Sequence, residues 1–96
     1  MKTGIELIDE ERREQVEKHN IENDVLLNSG FEKPLTKAAS MLSVEHMTSN
    51  IIYFGCPENW SPSLWEKMCN KAYIERLIIA GALIAAEIDR VQAEGN

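Results

Sequence analysis

Cysteine is nearly absent from this sequence: only Cys56 and Cys69 occur, and they do not form a CxxC pair. That excludes a disulfide framework and a paired-cysteine zinc site, so two free thiols in a reducing compartment are expected. Histidine is equally scarce. His19 and His46 fall in no HxxE, HxH or HExxH spacing, and no metal is expected. There is no Gly-rich phosphate loop, no GxSxG and no Ser-His-Asp order, and Cys56 precedes Pro57 with no base beside it. The sequence therefore offers no catalytic set and calls for no cofactor.

Long apolar runs are missing too. The longest, Leu77 to Ala86, has ten residues, against the ~20 that a membrane span requires. The start, "MKTGIELIDEERRE", lacks an apolar export core, so the cytoplasm is the expected location and no membrane partner is expected. Positive charge is also in short supply, with 10 Lys and Arg against 16 Asp and Glu for a net charge of −6. Duplex nucleic acid, bound mainly by Lys and Arg on phosphates, is not an expected partner.

What remains is an ordinary globular composition, 44% hydrophobic and 27% charged over 96 residues. That is one domain, residues 1–96, with room for a single modest core. Charge is unevenly spread: residues 1–24 hold eight acids against four bases, whereas Lys67, Lys71 and Arg76 have only Glu75 among them. A small basic patch in an acidic chain suits a compact anion or an acidic partner.

The helical period recurs along the chain. Ile5, Ile8, Arg12, Gln15 or Val16, and His19 share one face of a first helix. Thr3 and Glu6 form a capping box at its start, and Asp9, Glu10, Arg13, Glu14 and Glu17 make a solvated face. Asn20, Asn23, Asn28 and Gly30 mark a loop that ends at Pro34. A second helix is predicted from Leu35 to about Met47. "NIIYFGCPENWSP" reads as a buried connection or a continued helix end. Ser61 and Pro62 then cap a helix carrying Leu64, Trp65, Met68 and Cys69 on its apolar face. A last helix is predicted from about Ala72 to Ala93, with Gly95 outside its end. The fold class is all-α, a small bundle of about four helices completed by homo-oligomerisation, since a short chain leaves such an apolar last helix incompletely covered.

That last helix carries two neighbouring stripes. One is Arg76, Ala80, Leu83, Glu87 and Arg90; the other is Leu77, Gly81, Ile84, Ile88 and Val91. Gly81, which costs about 1 kcal/mol mid-helix, suggests a close contact between copies. The first helix also turns from apolar to polar partway along its inward stripe. Arg12, Gln15, Glu87 and Arg90 are thus expected to form a structural polar patch, for example through an Arg12–Glu87 pair.

Two sets of residues could carry chemistry. Trp60 and Trp65 stand near Lys67, Lys71 and Arg76, and an aromatic face beside cations can stack a base and hold a phosphate. Trp65 reads as core; Trp60, Lys67, Lys71 and Arg76 form the candidate ligand site. Separately, Glu10, Glu11 and Glu14 spell EExxE, part of the magnesium signature of the all-α nucleotide pyrophosphohydrolases. The second half of that signature, ExxD, is replaced here by ExD at Glu87 and Asp89, and a solvated acidic face is the simpler reading.

Both ends of the chain resemble a family of small bacteriophage and prophage proteins of the Bacteroidetes type, with the patterns ELIxxERxxQ and AGALIAAEIDR. Glu11, Arg12 and Gln15 match the first, and Gly81, Glu87, Asp89 and Arg90 the second. Asn20 stands where the family often has the glycine of KHG. The resemblance implies a phage accessory protein without a defined reaction. Three functions are compatible with it: capture of a small anionic, nucleotide-type immune signal, magnesium-dependent nucleotide pyrophosphohydrolysis, or docking on a host protein through the acidic first helix. Capture, without catalysis, is the expected one.

Overall fold

The fold was described from a computed structural model, which places residues 1–19, 34–58 and 60–95, with backbone only for Lys18, His19, Glu94 and Gly95. The predicted loop from Asn20 to Gly30, with its turn at Asn20, lies outside these residues, as does the side chain of His19. Among the described residues five helices follow in order: α1 (Gly4–His19), α2 (Pro34–Leu42), α3 (Ser49–Phe54), α4 (Pro62–Cys69) and α5 (Tyr73–Gly95). Among the described residues there is no strand, and no helix is long and apolar enough to cross a membrane. The all-α bundle expected from the sequence is what forms.

Local signals explain the helix starts. At α1 the Thr3 backbone N–H donates to Glu6 Oε1 at 3.0 Å, and the Glu6 N–H donates to Thr3 Oγ1 at 3.2 Å. This reciprocal capping box satisfies two donors that the helix itself leaves unpaired. At α4 the Ser61 hydroxyl accepts from the Leu64 N–H at 3.3 Å, with Pro62 at the first helical position.

The segment around Tyr53 departs from expectation. It forms a helix of its own, because Thr48 in extended conformation accepts from the Ile51 N–H at 3.2 Å and starts a new turn. The predicted second helix also stops early, at Leu42 rather than Met47. Its reason lies on α5. Arg76 is 4% exposed, and its guanidinium donates to Leu42 O at 3.0 Å, Val44 O at 2.5 Å and Glu45 O at 3.1 Å. Its Nε donates to Lys71 O at 3.1 Å. Four carbonyls share one cation, so the chain after Leu42 unwinds toward the arginine instead of continuing the helix. At the other end α5 runs through Gly95, where the sequence suggested a stop.

α5 is the central element and packs mainly against α2 and α1. Leu35, Ala38, Ala39 and Leu42 of α2 meet Ile79, Ala80, Leu83 and Ala86 of α5, with Trp65, Met68 and Cys69 of α4 completing the core. Trp65 is fully buried and ties α4 to α3 by donating its Nε1–H to Ile51 O at 3.1 Å. Burying each large side chain such as Trp65, Leu35 or Leu83 contributes ~1.5–3 kcal/mol. Of the two stripes on α5, the one containing Arg76, Ala80 and Leu83 faces inward. The other remains largely in solvent.

Gly81 belongs to that outer stripe but is used within the chain. A Cβ built there would lie 2.6 Å from Ile8 Cδ1 and 2.9 Å from Ile8 Cγ1. The close contact expected between two copies is therefore a contact between α1 and α5, made possible by the missing side chain.

Candidate ligand-binding cleft

Of the four residues assigned to a ligand site by sequence, the structure leaves two in place. Trp60 is only 8% exposed and lies edge-on to Trp65, with ring centroids 6.2 Å apart at 75°. This corrects its expected role as an open stacking surface. Placed before the Ser61 cap, it folds back under the loop because that is where the neighbouring tryptophan offers apolar area. Arg76 is corrected as well: its donors are spent on the four carbonyls above, and its guanidinium sits 5.5 Å from the Tyr73 ring.

Lys67 in the last turn of α4 and Lys71 just past its end do line an opening. Two adjoining recesses lie between α1, α4 and α5, with volumes of about 130 Å³ and 120 Å³. The larger is lined by apolar Leu64, Met68 and Ile79 together with Lys67, Lys71 and, from α1, Glu11 and Glu14. The smaller shares Glu11, Lys71 and Ile79 and adds Glu75 and Ile78. Lys71 stands 3.8 Å from Glu75, a loose pair on an open surface worth little by itself. The sequence puts Glu14 on the solvated face of the first helix and Glu11 beside it in the EExxE pattern. Their spacing of three does put them on one side of α1, but only the packing of α1 against α5 brings that side to the recess that Lys67 and Lys71 line.

Behind the cleft lies the polar patch. Gln15 is completely buried, and its Nε2 donates to Glu11 Oε2 at 3.2 Å and to Ile79 O at 3.5 Å. Gln15 thus orients one of the carboxylates that line the recess. Arg12 turns inward as expected, its side chain 14% exposed, but its partner is Asp89 at 3.3 Å rather than Glu87. Glu87 takes Arg90 instead, one turn along the same helix, through Nε at 2.5 Å and Nη2 at 3.2 Å. A bidentate pair within one helix wins because its geometry is set by the backbone.

Of the carboxylates that a magnesium site would need, Glu14 lines the cleft beside Glu11 and four have partners elsewhere. Glu10 pairs with Lys2, Glu11 with Gln15, Glu87 with Arg90 and Asp89 with Arg12. Among the described residues no three of His, Cys, Asp and Glu gather where they could hold a metal ion. His46 is 91% exposed beside Glu45.

Compared with protein-family models, with curated proteins and with solved structures, the chain finds no match.

Proposed function

We propose that the protein works by binding rather than turnover, capturing a compact, anionic, nucleotide-type ligand at the cleft between α1, α4 and α5. The observation that supports this is the pair Lys67 and Lys71 lining one recess with apolar Leu64, Met68 and Ile79 and with Glu11 and Glu14. Lysines neutralise phosphate oxygens, whereas carboxylates accept from the amino and imino N–H groups of a base. A ligand with both features satisfies both kinds of group; bare phosphate meets the carboxylates unfavourably. Each recess is well below the ~300 Å³ of a typical enclosed ligand pocket. It therefore admits a phosphoryl group or the edge of a base, and the rest of the ligand lies on the surface.

The resemblance of both chain ends to phage and prophage proteins supplies the setting. There the protein is an accessory factor in the host cytoplasm that sequesters a nucleotide immune signal. Pyrophosphohydrolysis finds less support, because Glu10, Glu87 and Asp89 pair with Lys2, Arg90 and Arg12, away from Glu11 and Glu14 at the cleft. Docking on a host protein through the acidic face of α1 also finds less, since Asp9 and Glu10 on that face pair with Arg13 and Lys2.

Mass spectrometry of small molecules released from protein purified out of infected, defence-active cells tests the reading. An intact nucleotide signal is the expected result. A monophosphate product replaces capture with hydrolysis, and an empty protein contradicts capture.

A further inference from the structure

The outer stripe of α5 is apolar and exposed at five of its six positions, Gly81 being covered by Ile8. Ile74, Leu77, Ile84, Ile88 and Val91 are 64%, 38%, 47%, 53% and 49% exposed. With Gly81 they recur at spacings of three, four, three, four and three. That is the seam pattern of a helix that packs lengthwise against another helix. It runs about 26 Å at 1.5 Å per residue. No charged residue interrupts it, and Ile8, seated on Gly81, fills the place this glycine leaves.

We infer that the stripe is covered by a second copy of the chain, with the two α5 helices antiparallel about a two-fold axis between Ala82 and Leu83. Such an axis maps the stripe onto itself. Ile74 faces the partner's Val91, Leu77 faces the partner's Ile88, and Ile84 faces the partner's Gly81. Every seam position meets a seam position, which is the self-complementarity an isologous contact needs. A parallel pairing in register would put two glycines in one layer and set like ends of two helix dipoles together.

The five exposed side chains present roughly 450 Å² of apolar surface, as large as the biggest patch on a typical monomer. Tyr73, 41% exposed, adjoins its first residue. Two copies that cover the stripe together bury roughly 900 Å², the size of a small, transient contact.

Light scattering and sedimentation of the full chain test the pairing. At about 300 μM, where small, transient contacts are populated, the expected mass is twice the 10.9 kDa of one chain. Ile84→Glu is expected to halve that mass while the helical circular dichroism stays unchanged, and Ile88→Lys to do the same should the first variant lose helix. Oxidation of mixed Leu77→Cys and Ile88→Cys proteins is expected to give the mixed crosslink, with Leu77→Cys alone giving none beyond the unsubstituted control. A wild-type monomer overturns the inference. So does a dimer that both charged variants leave intact, as expected if another surface joins the copies, or a Leu77→Cys self-crosslink, which marks a parallel pair.

Discussion

Ile8 of α1 rests directly on Gly81 of α5, so closely that a single added methyl group would lie 2.6 Å from its Cδ1. The glycine is what lets α1 reach α5 at this point. Gly81→Leu is expected to lower stability by about 1–3 kcal/mol through overpacking. Ile8→Ala in the same chain should recover part of that loss, with a coupling of about 0.5 kcal/mol or more. Thermal unfolding of the two single variants and the double variant checks this. Strictly additive losses would show that the two residues do not meet.

Arg76 is a structural cation. Replacing it leaves the carbonyls of Leu42, Val44 and Glu45 without their donor where the chain leaves α2. Arg76→Met keeps much of the apolar stem and is expected to cost about 3 kcal/mol or more, given ~1.5–3 kcal/mol for each hydrogen bond to a charged group. Arg76→Lys is expected to recover little, since an ammonium does not reproduce the planar fork. Urea unfolding of the three proteins is the measurement. Equal midpoints would contradict the clamp.

Arg12 and Arg13 are neighbours with opposite fates. Arg12 is mostly buried and reaches Asp89, whereas Arg13 is 71% exposed and pairs with Asp9 at 2.6 Å within α1. Arg12→Ala is expected to cost about 1.5–3 kcal/mol through lost packing and a charged hydrogen bond. Arg13→Ala is expected to cost about 0.5 kcal/mol or less, as for exposed pairs one turn apart. Matching melting temperatures would mean that α1 is rotated differently.

The two thiols should separate by reactivity. Burial pushes the Cys69 thiol up to about 11, against a smaller rise at half-buried Cys56. Iodoacetamide at pH 8 should therefore label Cys56 first, read by peptide mass spectrometry. The stability linked to Cys69 is fully present below its unfolded value near 9 and is lost as pH rises toward about 11. Melting temperature should accordingly fall over that alkaline window, and Cys69→Ala should flatten the fall.

Much of the fold was legible because its signals are local. The Thr3–Glu6 box, the Ser61–Pro62 start and the inward turn of Arg12 and Gln15 each follow from residues within a turn or two. Where the sequence misled, the cause was a partner far along the chain. Arg76 ends α2 across more than thirty residues, and nothing near Leu42 announces it. Trp60 reads as exposed from its polar neighbours, yet Trp65 draws it inward. The cleft was half legible: the spacing of Lys67 and Lys71 marks them as a pair, but Glu11 and Glu14 join them only through packing of α1. Glu87 similarly prefers Arg90, one turn away, to the Arg12 suggested by matching stripes.

The central claim is capture at the Lys67–Lys71 cleft, and calorimetry with a panel of cyclic and linear nucleotides, run with and without chelator, tests it most directly. The account predicts binding that survives chelator, is stronger for amino-bearing bases than for inorganic phosphate, and weakens with salt. Lys71→Ala should make it less salt-sensitive by about one counterion-linked contact, and Trp60→Phe should leave affinity unchanged. Absence of binding across the panel, or hydrolysis that chelator abolishes, would contradict it.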